Sequence, residues 1–426
     1  MMSPALGRTL IAAAVLWHVF AVVANGWTTA SKDKHGRDFA SYYYAVQVAR
    51  AGGDPYDTRA LEKEARGLRK KVHPYFYPPP FLLTMGWIGA DMGLIEAYKI
   101  WFWLDELYLL AALLALGWWW RPLRGALPWV LVSAAVLTAI PNNHVMGQAN
   151  LPVLCLALWG LALADPLSGR ASRGRELVGG ALMGAACMLK MSPALFVVWW
   201  LFRRRWWPAA ASVGAAVVLS VAALGMVSPA VQWHFYSEVL PGFGSGSYNG
   251  LTVDIGLYGN HSIPNLLDMA FPDPGNALSS TARLASLVAT GLVLGAMGWA
   301  FRRGGSGLSL AAQASAIGVA MLLIPVYTYE HHIVWAIPAA ALALHAVTSG
   351  ALRPAWAPVV GIAVTAWAFE LAALKKVARS MDPSVVHEAV IAGAVQESKF
   401  FALALLWLAA VAVGWGGSGA RGDTGG

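Results

Sequence analysis

Asp38 has the position in this sequence that most suggests chemistry. It stands directly before the apolar and aromatic run FASYYYAVQVA, and the glycines Gly52 and Gly53 with the pair Asp54-Pro55 follow that run. These are the signals that begin and end a helix, so the spacing predicts a helix with Asp38 in its first turn. A carboxylate there either caps the helix by accepting backbone N–H bonds or is available for acid–base chemistry, and the local sequence alone favours the cap.

Further polar residues stand at the ends of apolar runs, where burial in lipid is costly and polar groups by default mark function. They are Asn142, Asn143, His144, Gln148 and Asn150 in PNNHVMGQAN, Lys190 in LKMSP, Asn260 in GNHS, and Glu330, His331 and His332 in TYEHHIVW. Taken singly, each has a structural interpretation as well. Gln148 and Asn150 could cap or bridge helices, and Lys190 could extend to the membrane surface. Adjacent histidines point to different faces of a helix, so at most one of His331 and His332 is expected to face a site.

The composition is that of a membrane protein. Of 426 residues, 58% are hydrophobic, only 12% are charged, and 21 are tryptophan, which exceeds what a soluble core would bury. The net charge of +8 comes from short arginine clusters between apolar runs, a pattern that indicates topology and not a nucleic-acid partner. Cys155 and Cys187 lie inside apolar runs without metal-ligand spacing, so they predict neither a disulfide nor a zinc site.

Run length predicts an all-α polytopic protein with about twelve transmembrane helices. The predicted spans are 9–27, 94–119, 126–142, 150–164, 177–190, 192–202, 206–227, 281–301, 308–326, 331–348, 355–371 and 399–415. The run near 81–90 is too short to span and is predicted to lie at the surface or to re-enter. The first run resembles a cleavable signal sequence, but it is long enough to cross, so an uncleaved anchor is predicted.

Arginines in the short loops set the predicted orientation. In this arrangement one side carries Arg8, Arg121, Arg124, Arg170, Arg173, Arg175, Arg203 to Arg205, Arg302, Arg303 and Arg353, and that side is predicted to be cytoplasmic. Both termini are then inside, residues 1–416 form one membrane domain, and 417–426 are a flexible cytoplasmic tail. The loops 28–80, 228–280 and 372–398 face outward. The helix after Asp38 is too short to span, so it is predicted to lie at the outer membrane surface with Tyr42 and Tyr43 among the headgroups.

Five short motifs, taken together, resemble glycosyltransferase family 87, integral-membrane enzymes of the C-type fold. The first combines Asp38-Phe39 and Tyr42-Tyr43 with the later Phe76-Tyr77-Pro78-Pro79. The others are Gly147-Gln148-Ala149-Asn150, Lys190 with Pro193, Gly259-Asn260-His261-Ser262 and the pair His331-His332 before Val334-Trp335. His261 departs from the family pattern, which usually has Gln at that place. The matches run from Asp38 to Trp335 and all fall on the predicted outer side.

The resemblance implies an inverting transfer of a sugar from a polyprenyl-phosphate donor to a glycolipid or glycan acceptor on the extracytoplasmic face of the cell membrane. Asp38 would be the catalytic base, and Lys190 with His331 or His332 would stabilise the departing phosphate. The expected sugar- and acceptor-binding residues are Tyr42, Tyr43, Tyr77, Asn142, Asn143, His144, Gln148, Asn150 and Asn260, with Tyr75 as a further aromatic wall. No cofactor is expected. A metal is not expected because the sequence has no Asp-x-Asp motif: its nearest approximation, Asp54 and Asp57, has its acids three residues apart and belongs to a turn.

Mannose is the first expectation for the sugar and arabinofuranose the second, because similar family members include mannosyltransferases acting on phosphatidylinositol glycolipids. A transporter or flippase is the alternative, since buried Lys, His and Gln can also line a substrate path. The two differ in where the polar residues gather. A transporter needs them near the membrane midplane, whereas an enzyme of this kind needs them at the outer helix ends.

Overall fold

The computed structural model describes residues 3–416 except for 32–35, 69–70, 247, 252–254, 256–257, 274–277, 303–306 and 383. Over these residues the secondary structure is helical. The predicted cytoplasmic tail 417–426 and Arg303 lie outside the described part of the chain.

Twelve helices lie in the described part of the first half of the chain. They are α1 Pro4–Ala21, α2 Thr28–Ser31, α3 Arg37–Arg50, α4 Thr58–Glu64, α5 Phe81–Thr84, α6 Leu94–Trp119, α7 Leu127–Val136, α8 Ala139–Met146, α9 Asn150–Ala164, α10 Arg173–Leu189, α11 Ala194–Phe202 and α12 Trp206–Ala223. A π-helical turn, Val22–Trp27, joins α1 to α2.

The second half continues with α13 Pro229–His234, α14 Leu240–Gly242, α15 Ile263–Ala270, α16 Ser280–Phe301, α17 Leu308–Leu323, α18 Ile337–Ser349, α19 Trp356–Ala368, α20 Leu371–Arg379, α21 Val386–Gln396 and α22 Ser398–Gly416. A π-helical turn lies at Phe235–Val239, and 3₁₀ turns lie at Phe243–Ser245 and Glu330–Ala336.

Six helices of the described chain are long and apolar enough to cross a bilayer, or up to eight if two bent pairs are each one span. The pairs are α7 with α8, bent by 53°, and α19 with α20, bent by 96°. The twelve predicted spans are therefore not confirmed. α9 and α17 are apolar but have only 15 and 16 residues, and α11 has nine. At about 1.5 Å per residue, nine residues cover less than half of a hydrocarbon core about 30 Å thick.

The core is built around α17, in which every residue from Ser309 to Leu323 is buried. α18 and α22 pack against it, while α9, α10 and α12 form a second packed group. Small residues allow the close approach of α10 and α12, because a Cβ on Gly180 or Gly184 would lie 2.3 Å from the backbone oxygen of Pro208 or Ser212 respectively.

The two ends of this bundle carry different chemistry. α9 and α10 run antiparallel, since Lys190 after α10 contacts Asn150 at the start of α9, and Arg175 near the start of α10 donates to the carbonyl of Ala162. At the second end the buried Asp165 carboxylate accepts from the guanidinium of Arg203 at 2.6 Å and also pairs with Arg205. The arginine-rich loops and the predicted site residues thus lie at opposite ends of the same helices.

The prediction that Tyr42 and Tyr43 of α3 lie among headgroups is wrong. Ten of its residues are buried in protein, Tyr42 and Tyr43 among them. α3 packs against α4, α5, α6 and α8, so its aromatic side chains fill a protein core and do not reach headgroups. The apolar character of α3 on nearly every side is explained by this burial, because a helix that is hydrophobic all round is typically enclosed.

Candidate active site

One cavity of about 870 Å³ lies at the end of the bundle opposite the arginine cluster. Its lining includes Asp38, Lys190, His331 and His332, residues that come from three different parts of the chain. Tyr77, Asn142, Gln148 and Asn150 line it too. The fold therefore brings the predicted base and all three predicted phosphate-binding residues to one place.

The carboxylate of Asp38 is held by side chains and does not cap its helix. Gly36 is the residue that precedes α3, and Asp38 is the second residue within the helix. One oxygen, Oδ2, accepts from Nε2 of Gln148 at 2.7 Å, and the other, Oδ1, lies 2.9 Å from Nδ1 of His73. The interpretation of Asp38 as a helix cap is therefore wrong.

These partners keep Asp38 ionised in spite of its burial. Burial by itself raises the pKa of the Asp38 carboxyl, but the hydrogen bonds from His73 and Gln148 and the electrostatic influence of His331 and His73 outweigh burial and leave its pKa below the ordinary value. A carboxylate that stays charged in a mostly apolar cavity attracts protons and cations.

Gln148 has its orientation fixed by two tyrosines. The hydroxyl of Tyr42 donates to that of Tyr77 at 2.8 Å, and Tyr77 donates to Oε1 of Gln148 at 3.1 Å, which leaves the Gln148 amide N–H to face Asp38. The turn before it requires glycine. Gly147 has φ +65°, and a Cβ there would lie 2.6 Å from that of Phe39.

Lys190 enters the cavity from the end of α10 and does not extend to the surface. Its backbone is extended, with φ −154°, and its Nζ donates to Oδ1 of Asn150 at 2.7 Å. The amide of Asn150 in turn donates to the carbonyl oxygen of His331 at 2.9 Å. Asn150 thus joins the lysine to the histidine pair, and the interpretation of Lys190 as a surface-seeking side chain is wrong.

Both histidines line the cavity, contrary to the prediction that at most one does. They lie in the 3₁₀ turn Glu330–Ala336 and not in a regular α-helix, and their rings are 4.4 Å apart at an angle of 79°. Nδ1 of His332 accepts the backbone N–H of Tyr329 at 3.1 Å. This bond fixes the proton of a neutral His332 on Nε2, so that ring presents a donor.

Glu330 anchors the histidine turn in a buried polar cluster. Its Oε2 accepts from Nζ of Lys399 at 2.7 Å and from the hydroxyl of Thr138 at 2.9 Å, while Oε1 lies 3.1 Å from Nε2 of His261. Burial lowers the pKa of His261 more than its bond to Glu330 raises it, so His261 is neutral and donates to the carboxylate. The cluster joins α8, the 3₁₀ turn, the 259–262 loop and α22.

Five predicted sugar-binding residues are not among those lining the cavity. Tyr42 supports Tyr77, and the hydroxyl of Tyr43 donates to the carbonyl of Met92 at 2.6 Å. Asn143 donates to Asp105 and to the carbonyl of Gln148, and His144 packs against Glu106. Asn260 donates to the carbonyl of Val326 and accepts from the N–H of Thr328. All five therefore hold neighbouring segments in position and do not line the cavity. Tyr75 is also fully buried and lies outside the lining.

Sequence reasoning missed His73 and Lys399. His73 lies three residues before the motif Phe76-Tyr77-Pro78-Pro79, so a basic residue beside an aromatic and proline-rich motif was an available signal. Lys399 gave a weaker signal, a lone lysine at the start of an apolar run. Among the described residues no three His, Cys, Asp or Glu side chains are grouped as metal ligands.

The arrangement places the Asp38 carboxylate, a lysine, three cavity-lining imidazoles and several amides around one space. Such a site can remove a proton from a hydroxyl, hold an anion and fix polyhydroxylated groups by hydrogen bonds. These are the elements of group transfer to an alcohol with an anionic leaving group. Aromatic and aliphatic walls complete the cavity, as is usual for sites that take small ligands.

Comparison with known proteins agrees with this chemistry. The family model of glycosyltransferase family 87 matches residues 75–325, more than half of the chain. The matched region includes Tyr77, Gln148, Asn150 and Lys190, while Asp38, His331 and His332 lie outside it. No curated protein matches the chain. The chain belongs to glycosyltransferase family 87.

Proposed function

We propose that the protein transfers a sugar from a polyprenyl-phosphate donor to a hydroxyl of a glycolipid or glycan, with inversion at the anomeric carbon. The observation that carries the proposal is the meeting of the Asp38 carboxylate with Lys190, His331 and His332 in one cavity. Base catalysis at the acceptor hydroxyl depends on the Asp38 carboxylate, and no second carboxylic acid is needed for the leaving group, which is already a phosphate.

The N–H donors of the cavity suit a phosphate leaving group. Cleavage of the bond between the sugar and the phosphate adds negative charge to the phosphate, and donors held ready in a site from which water is excluded stabilise such charge strongly. Lys190 has N–H donors besides the one that it gives to Asn150, and His332 presents its Nε2–H. Donor-phosphate binding by Lys190, His331 and His332 is therefore part of the proposal, with Tyr77, Asn142, Gln148 and Asn150 contacting the sugar or the acceptor.

The shape of the cavity favours a lipid-linked donor. Its lining continues from the polar residues to Leu287 and Thr290 of α16 and to Met321 and Leu322 of α17. Leu287 is 65% exposed on the outside of the bundle, in a helix long and apolar enough to span a bilayer. A prenyl chain can therefore leave the cavity sideways into lipid while its phosphate stays beside Lys190. Mannose is our first candidate for the sugar and arabinofuranose the second.

The extracytoplasmic face is proposed for the site because the arginine-rich end of the bundle, with Arg175, Arg203 and Arg205, is the opposite one. Positively charged loops favour the cytoplasm. We further propose that the membrane is the cell membrane and that both chain termini are cytoplasmic.

Purified protein, a labelled polyprenyl-phosphate sugar and membrane glycolipid extract test the proposal. Mannose and arabinofuranose donors should be compared with their nucleotide-sugar counterparts, which lack the prenyl chain. We expect transfer only from a lipid-linked donor and a loss of at least about a hundredfold in turnover for Asp38→Asn. The transporter alternative predicts the reverse: uptake or flipping of the substrate in vesicles without a new glycosidic bond.

A further inference from the structure

His73 is the second group attached to Asp38. Its Nδ1 lies 2.9 Å from Oδ1 of the carboxylate, and its ring lines the same cavity. An ionised carboxylate only accepts hydrogen bonds, so Nδ1 of His73 must carry the proton between them. The other ring nitrogen, Nε2, then has a free lone pair in the neutral imidazole.

Asp38 is less accessible than His73. The side chain of Asp38 is 10% exposed and that of His73 is 28% exposed. Both carboxylate oxygens already accept a hydrogen bond, from His73 and from Gln148, and the pKa of the carboxyl is held below its ordinary value. An acceptor hydroxyl reaching this end of the cavity therefore meets the imidazole more readily than the carboxylate.

We propose that Nε2 of His73 removes the proton from the acceptor hydroxyl, with Asp38 as the carboxylate that orients the imidazole and stabilises its charged form. The inference rests on the function proposed above and assigns one step of it. The acceptor oxygen forms a bond to the anomeric carbon as the bond from that carbon to the phosphate oxygen breaks, and the phosphate leaves with the electron pair. The acceptor proton moves to Nε2, which gives an imidazolium paired with Asp38.

His332, whose tautomer is also fixed by a hydrogen bond, has the opposite donor and acceptor nitrogens to those of His73. Nδ1 of His332 accepts a backbone N–H, so its Nε2 carries a proton and can donate to an anion. Nδ1 of His73 donates to Asp38, so its Nε2 can accept. The cavity thus contains one imidazole suited to the nucleophile and one suited to the leaving group, which is the division that the transfer needs.

The substitutions His73→Asn and His73→Ala test whether His73 acts as the base or only positions Asp38. Asn at 73 retains an N–H close to the place of Nδ1, and therefore the hydrogen bond to Asp38, but it has no group in place of Nε2. Ala at 73 removes both and leaves space for added imidazole. His387→Ala, at an exposed histidine of α21 away from the cavity, is the matched control. Turnover is measured with a labelled polyprenyl-phosphate mannose, and thermal unfolding of each variant is recorded.

We expect His73→Asn and His73→Ala both to lose at least about a hundredfold in turnover, and imidazole to restore about tenfold or more in the alanine variant only. Turnover of His73→Asn within about threefold of the unsubstituted protein, or no response of His73→Ala to imidazole, would overturn the proposal. Absence of transfer by the unsubstituted protein from any lipid-linked donor is a different result, since it would count against the proposed function itself.

Discussion

The side-chain amide of Gln148 donates to Oδ2 of Asp38 at 2.7 Å, across 110 residues of sequence. The bond joins the start of α3 to the turn between α8 and α9, and Tyr42 and Tyr77 hold the amide in the orientation that it needs. The carboxylate is therefore placed by the folded protein as a whole and not by its own helix.

Removing this bond should impair turnover more than stability. Gln148→Ala deletes a hydrogen bond to a charged group, and such a bond contributes about 1.5–3 kcal/mol. Because base catalysis depends on the orientation of Asp38, kcat is expected to fall by about 10- to 100-fold. Steady-state kinetics with a lipid-linked donor measure it. Gln396→Ala, outside the cavity lining, serves as the control. A normal kcat for Gln148→Ala would show that the orientation of Asp38 does not limit the reaction.

Lys190 and His332 are expected to act on the leaving group. Lys190→Ala and His332→Ala should each reduce turnover by about 3 kcal/mol in activation free energy, on the scale of single electrostatic donors, with melting temperatures close to that of the unsubstituted protein. Lys63→Ala, at an exposed lysine of α4, is the matched control. If neither variant slows transfer, the phosphate is bound elsewhere and only the pair of Asp38 and His73 remains assigned.

Removing one partner of the buried pair of Glu330 and Lys399 should destabilise the protein strongly. Their side chains are 7% and 0% exposed, so Lys399→Met leaves an unpaired carboxylate beside His261 and should cost about 3–5 kcal/mol. Adding Glu330→Gln to Lys399→Met should recover part of that loss, because the uncompensated charge is gone. Thermal unfolding in detergent compares the two variants. Equal melting points for the single and double variants would contradict the proposed charge pairing.

The orientation of the chain can be tested by cysteine labelling. In a background without the buried Cys155 and Cys187, Arg59→Cys should react with a membrane-impermeant maleimide in intact cells, and Arg170→Cys only after permeabilisation. Both positions are exposed in the structure. The opposite pattern would invert the topology and remove the extracytoplasmic site from the proposal.

The meeting of Asp38, Lys190, His331 and His332 could be predicted from the sequence because each stands at an end of an apolar run. Antiparallel packing brings alternate ends together, and so these positions share one face. The pairing of His73 with Asp38 and of Lys399 with Glu330 could not be predicted, since it depends on tertiary contacts across 35 and 69 residues. No local periodicity reports such contacts.

Helix count and burial were predicted less well, for a physical reason. Hydropathy does not distinguish a segment that is surrounded by lipid from one that is surrounded by protein. α3 is therefore apolar and aromatic because protein surrounds it, and α11 is strongly apolar with only nine residues. Sequence also assigned Tyr43 and Asn260 to the sugar, whereas their polar atoms bond to the backbone of neighbouring segments.

Lys399 belongs to α22, the last helix of the described chain, and yet it bonds to the residue next to the histidine pair. During synthesis every other contributor to the cavity leaves the ribosome before this lysine does. The carboxylate of Glu330 therefore has no cationic partner from this pair until α22 has packed against α17. A chain cut before α22 would leave that carboxylate uncompensated next to the histidines that line the cavity.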